Sequence, residues 1–179
     1  MRDQTHQLLT DYSSPYPEEH VYKKEMLQFL DMCPDCFFRS CRVGHFTASA
    51  FLLNPEKTHA LLLHHAKLDK WMQLGGHCDG SSDVLGVAIK EAQEESGIEK
   101  IRAIRPTVFD IGIHLIPPYK EEEAHYHFDI RFLLHAYETD QVIQNHESKA
   151  LQWFKITGET LPKNRASVDR MFEKIKKEQ

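Results

Sequence analysis

Nowhere in the 179 residues do apolar side chains run unbroken for the ~20 positions that a membrane-spanning helix needs, and the mean hydropathy is −0.52. The N-terminus, MRDQTHQLLTDYSS, lacks the apolar stretch of a secretory signal and the Arg-rich, acid-poor pattern of a transit peptide. A cytoplasmic protein with no membrane partner is expected. Clustered positive charge is missing too. Lys and Arg number 22 against 27 Asp and Glu, giving a net charge of −5, and the most basic segment, Lys174 to Lys177, is interrupted by Ile175. The electrostatic footprint of a protein that grips a nucleic-acid duplex is therefore absent. Cysteine is sparse: Cys33, Cys36, Cys41 and Cys78. The lone C-x-x-C at Cys33-Cys36 closes a helical pattern and has no second pair at zinc-site spacing, so reduced, structural thiols are expected. There is no internal repeat and no low-complexity tract.

What is present suits one globular domain. Apolar residues make up 41% and charged residues 27% of the chain. A core of this size buries roughly 70% of the unfolded surface, so no disulfide or metal staple is needed to fold. Twelve histidines are a high count. Their protonation below about pH 6.5 erases the negative charge, so solubility and metal binding are expected to vary with pH.

The periodicity predicts a short helix over 2–11, ended by Ser13-Ser14-Pro15-Tyr16-Pro17. Tyr22, Met26, Phe29 and Leu30 then make the stripe of an amphipathic helix over about 18–31. Strands are predicted at about 45–53, 59–66 and 71–74, the last leading into a Gly-rich loop. A helix over 82–96 follows, with Ser81 or Ser82 as N-cap and Gly97 at C′. Strands at 99–104, 107–116, 125–137 and 149–156 and a closing helix at 165–178 complete the chain. Strands outnumber helices and one mid-chain helix is flanked by strands. This is an α/β or α+β layered domain rather than a doubly wound repeat.

Chemistry concentrates in Gly75-Gly76-His77-Cys78-Asp79-Gly80-Ser81-Ser82 and the helix after it. Glu91, Glu94 and Glu95 stand at i, i+3 and i+4 and share one helix face, where they repel one another. Two of them sit in the last turn, where the helix dipole disfavours negative charge. Taken alone, such a face reads as solvated surface, helped by Lys90–Glu94 and Glu91–Lys100 pairs. A divalent cation would neutralise it, and hard oxygen ligands on a rigid helix suit Mg²⁺ or Mn²⁺.

The stretch resembles the signature of the Nudix hydrolase family, G-x5-E-x7-R-E-U-x-E-E-x-G-U, where U is aliphatic. Gly76 matches the opening Gly, Glu91 the Glu after the Arg, Ala92 the aliphatic position, Glu94 and Glu95 the Glu pair, and Gly97-Ile98 the ending. Trp71 ahead of Gly75-Gly76 is also typical. The direct match spans 23 residues, and strand order extends it to about 43–157. Two positions depart from the pattern: Ser82 replaces the first Glu and Lys90 the Arg. In the family these positions brace the loop. Asp79 or Asp83 is a candidate partner for Lys90, although Lys lacks the bidentate fork of Arg.

The resemblance implies a Nudix-type α/β/α sandwich with a mixed β-sheet over 43–179, preceded by an N-terminal helical extension over 1–42. It implies a metal-dependent hydrolase that cleaves a diphosphate bond in a nucleoside diphosphate derivative, a small-molecule partner, by water attack at phosphorus. Glu94 and Glu95 would ligate Mg²⁺, with Mn²⁺ as substitute. Glu91 would be a further ligand or a base, and the Gly75 carbonyl would complete the site. The distal base comes from a later loop, where Glu121, Glu122, Glu123 and Glu147 are candidates. The resemblance allows a homodimer. Alternatives are a non-catalytic Nudix binding domain, suggested by Ser82 and Lys90, and an enzyme resembling isopentenyl-diphosphate isomerase, suggested by Gly76-His77-Cys78.

A second constellation is His125-Tyr126-His127-Phe128-Asp129-Ile130-Arg131-Phe132. On a strand, His125, His127, Asp129 and Arg131 share one face and the apolar residues the other. The polar row reads either as a substrate cleft, with Arg131 on a phosphate and the histidines on metal or substrate, or as a solvent-facing strand with an Asp129–Arg131 pair. His77 and Asp79, in the loop before the helix, are further substrate-binding candidates.

Overall fold

The computed structural model describes residues 2–118, 123–145, 148–158, 161–163 and 168–178. Two helices open the chain, α1 (Arg2–Asp11) and α2 (Pro17–Met32). Pro17 starts α2 at the position where a missing N–H leaves no helical bond unmade. Of the predicted stripe on α2, Met26 and Leu30 are buried and Tyr22 and Phe29 are partly buried, and Leu9 on α1 joins them in the core.

The strands are β1 (Gly44–Leu53), β2 (His59–His65), β3 (Trp71–Met72), β4 (Leu74–His77), β5 (Ile101–Ile116), β6 (His125–Ala136) and β7 (Ser148–Lys155). With α3 (Val84–Ser96) and α4 (Asp169–Glu178), they form one mixed sheet ordered β3-β2-β1-β6-β5, with β4 added to β1 and β7 to β2. β1 is buried throughout and runs parallel to β6 from Gly44↔Tyr126 to Leu53↔His135. Its other edge is divided. β4 pairs with Thr47–Ala50, and β2 takes over at Leu52 and Leu53. That split lets β4 swing out and deliver the loop and helix that follow it.

Three details differ from the sequence reading. Gly75-Gly76-His77 is strand rather than loop. Two predicted strands are one, β5, whose register shifts between Ala103 and Val108 around Pro106. An edge strand tolerates proline at such an irregularity because no ladder bond is lost there. The N-cap of α3 is Asp83, whose carboxylate accepts from the Gly86 amide. Gly97 ends the helix in the left-handed region, as predicted.

Helices cover both faces of the sheet. α1, α2 and α3 pack over Phe46, Ala48, Phe128 and Ile130, with Ala88 and Ala92 letting α3 approach closely. α4 packs Met171, Phe172 and Ile175 onto Phe51, Phe109 and Leu133. Burial of each such side chain contributes roughly 1.5–3 kcal/mol. The N-terminal helices belong to the same apolar cluster as the sheet. Cys36 and Cys78 are buried, and all four thiols are free.

A charge cluster ties these layers together. Asp110 on β5 accepts from Arg131, Arg170 and Lys174. Glu19 on α2 accepts from Lys174, Tyr12, Ser14 and the Ile111 amide. Asp129 on β6 accepts from Arg131, Thr47, Ser49 and Gln73. Burial alone would raise the Asp110 pKa, but the bond to Arg170 and the charges of Arg131 and Lys174 prevail and hold it well below the usual range. Among the described residues, no helix is long and apolar enough to cross a membrane.

Candidate active site

The carboxylate helix is docked onto β4 through backbone. The Gly75 amide donates to Glu95 Oε2 at 2.8 Å, and Glu95 is 7% exposed. A Cβ on Gly76 would fall 2.5 Å from the Glu91 carboxyl, and one on Gly75 would fall 2.3 Å from Ser49 Oγ. Only glycines let the strand lie between β1 and the carboxylates. Glu94 faces outward and pairs with Lys90 Nζ at 3.2 Å, while Lys90 stands 3.8 Å from Glu91. The hydrogen bond to Glu94 and the charge of Glu91 raise the Lys90 pKa, so the ammonium stays charged. Lys90 thus turns to its own helix rather than to Asp79 or Asp83.

The loop between β4 and α3 is braced from the N-terminal segment. Thr5 on α1 donates to the Ser82 carbonyl at 2.8 Å. The Gly80 amide donates to the Phe37 carbonyl, and the Phe38 ring fills the space beside Gly80. Arg39 grips Asp79 with two hydrogen bonds of 2.6 and 2.8 Å. That grip lowers the Asp79 pKa against the opposing effect of burial. A cleft of about 290 Å³ opens beside this loop, with His77, Asp79, Lys90 and Glu91 in its wall.

The polar row of β6 divides in two. Asp129 and Arg131 lie inside, among Thr47 and Ser49 of β1 and Asp110 and His114 of β5. Arg131 is 0% exposed, and its nitrogens contact Asp129 at 2.7 Å, Asp110 at 2.8 Å and His114 at 2.6 Å. The side chain predicted to meet a phosphate is thus packed among carboxylates, with no surface on the cleft. His125 and His127 instead join His45 and His77 in a ring cluster. Burial pushes His77 down to about 4, helped by the charges of Arg39 and His45. Burial pushes His127 down to about 3, helped by His77 and His45. Both rings are neutral at pH 7.

Of the distal base candidates, Glu123 is exposed and its carbonyl meets His125 Nδ1. Glu121, Glu122 and Glu147 lie outside the described residues. Sequence reasoning passed over His45, His114 and Asp110. His45 is recognisable only through the parallel register with His127, and His114 and Asp110 only through their pairing with β6.

The NUDIX domain family model matches residues 44–174. The chain belongs to the NUDIX family. Its members generally need divalent metal ions and act as pyrophosphohydrolases on nucleoside diphosphate derivatives. Solved NUDIX structures share the fold. A NUDIX-family hydrolase from Clostridium perfringens is 19% identical with a TM-score of 0.57, covering 75% of this chain and 98% of that one. A MutT NUDIX hydrolase from Burkholderia pseudomallei is 21% identical with a TM-score of 0.55, covering 73% and 96%. An Ap4A hydrolase binary complex from C. elegans is 18% identical with a TM-score of 0.53, covering 74% and 95%. No curated protein matches the sequence.

Proposed function

We propose that this NUDIX protein hydrolyses the diphosphate bond of a nucleoside diphosphate linked to a further group, with Mg²⁺ or Mn²⁺ held by Glu91, Glu94 and Glu95. The observation that carries this reading is the carboxylate face of α3 set against the Gly75–Gly76 backbone. The donor set fits a hard cation: three carboxylates on one rigid helix, two of them steadied by a strand whose glycines leave room for their oxygens. Such an ion polarises a bridging phosphate and lowers the pKa of water.

The chain's own residues do the rest. Gly75 orients Glu95 through its amide, so one carboxylate oxygen is fixed and the other directed. Glu91 borders the cleft, where it would act as a further ligand or take a proton from water. Lys90 lines the same cleft and offers positive charge to a phosphate. The Arg39–Asp79, Thr5–Ser82 and Phe37–Gly80 contacts hold the loop that the signature Glu and Arg would otherwise brace.

Cys78 speaks against the isomerase alternative. It is 3% exposed, and burial pushes its thiol well above the usual value. A neutral, enclosed thiol is a poor proton carrier, so Cys78→Ala is expected to leave turnover near wild type.

The test is phosphate release from sugar nucleotides, ADP-ribose, dinucleoside polyphosphates and nucleoside triphosphates with Mg²⁺ or Mn²⁺, wild type beside Glu94→Gln. Metal-dependent turnover that disappears in a folded Glu94→Gln protein supports the reading and names the substrate class. Full activity in Glu94→Gln overturns the metal assignment.

A further inference from the structure

Three strand ends bring together four imidazoles that the diphosphate chemistry leaves without a role. His45 lies on β1, His77 ends β4, and His125 and His127 open β6. The register sets His45 beside His127 and His77 opposite Thr47. One ligand atom from each of His45, His77 and His127 can be chosen so that all three lie within 4.8 Å of one another. The ring centroids stand 5.0 Å apart for His45–His77, 4.8 Å for His45–His127 and 4.9 Å for His77–His127. His125 lies 5.1 Å from His45 and 5.2 Å from His127. Imidazoles around a tetrahedral ion, each bound at a Zn–N distance of about 2.05 Å, would have centroids roughly 5.2 Å apart.

His125 stands outside that trio, but its hydrogen bonds make it a further nitrogen donor beside His127. Its Nδ1 lies 2.8 Å from the Glu123 carbonyl, which can only accept, so Nδ1 carries the proton and Nε2 keeps its lone pair. That Nε2 stands 3.3 Å from His127 Nε2. A tetrahedron around the same ion has an edge of about 3.3 Å. A backbone carbonyl fixing the far nitrogen is also the usual outer support of a ligating histidine.

We propose that His45, His77 and His127 bind a borderline divalent transition-metal ion of the Zn²⁺ class at a site separate from the α3 carboxylates, with His125 beside His127 as the nearest further nitrogen donor. Imidazole nitrogen favours such ions, whereas Mg²⁺ prefers oxygen. β4 serves both sites: Gly75 holds Glu95, Gly76 faces Glu91, and His77 faces the imidazoles while bordering the cleft. The nitrogen site does not depend on the hydrolase reading.

Untagged, chelator-treated full-length protein titrated with Co²⁺ in excess Mg²⁺ tests this by visible absorption, with metal content measured after dialysis against Zn²⁺. The expected result is one equivalent bound, with the intense d–d bands of a tetrahedral nitrogen-ligated ion. Glu94→Gln should keep it. His127→Ala and His77→Ala should lower Co²⁺ affinity by more than ~100-fold, since even loss of an outer-shell partner costs 10–100-fold. Because a buried histidine variant can fail to fold, the wild-type spectrum is decisive by itself. No uptake, or an octahedral spectrum lost in Glu94→Gln, overturns the proposal, and phosphate release is not part of either readout.

Discussion

Two parts of the molecule gather carboxylates, and they treat them in opposite ways. In the interior, Glu19, Asp110 and Asp129 meet Arg131, Arg170 and Lys174 in a cluster that the chain closes with its own cations and donors. On α3, Glu91 and Glu94 share one lysine, Glu95 takes a backbone amide, and two of the three crowd the end of the helix that least tolerates them. The first arrangement leaves nothing for a ligand to add. The second gains from any cation that arrives. Carboxylates that a fold closes with several of its own cations are scaffold, and carboxylates gathered on one helix face beside a cleft mark a site.

The contrast breaks most sharply at Arg131. Replacing it with Met removes one partner of a buried cluster, so unfolding in urea should show a loss of about 3–5 kcal/mol. Unchanged stability with lost turnover would make Arg131 a substrate residue after all. Next comes Glu95→Gln, expected to reduce metal-dependent turnover by ~100-fold or more while urea stability shifts by about 1 kcal/mol or less. A large stability loss there would move Glu95 into the scaffold.

Acid separates the two classes further. Asp110 has a depressed folded-state pKa, so between that value and the unfolded value of about 3.9 the unfolded chain binds the extra proton. Its contribution is therefore complete above about pH 5 and is lost as pH falls through the acid range, by up to ~1.4 kcal/mol per pH unit. Urea midpoints at pH 5, 4 and 3 should decline in wild type and flatten in Asp110→Asn. The smallest effect is expected at Arg39→Ala. The Arg39–Asp79 pair is exposed, so stability should change by about 1 kcal/mol or less. A several-fold rise in KM would show that the pair holds the loop for substrate.

Local pattern revealed what local pattern can hold. The Glu91, Glu94 and Glu95 face followed from helical spacing, and Gly97 from its place after the last turn. The alternation of His125 to Arg131 placed them on one face, but whether that face is wet depends on the strands beside it. β1 and β5 flank β6, and these neighbours were not written in the segment. Gly75-Gly76 read as loop because glycine carries no strand signal, although β1 pairs with it directly. Pro106 seemed to divide β5 because the register shift that accommodates it is a property of the pair β5–β6. His45 went unassigned because its partners arrive from β4 and β6.

The Glu19 cluster also bears on the order in which the fold can close. Glu19 is 1% exposed, yet its hydrogen-bond partner Lys174 lies 155 residues further along the chain. Until α4 docks, the carboxylate has only its nearer donors, Tyr12, Ser14 and the Ile111 amide. Contacts that close so long a loop are reached late and raise the entropic barrier to folding. The contacts of α2 around Glu19 are therefore complete only once α4 has docked, so segments far apart in the chain close together.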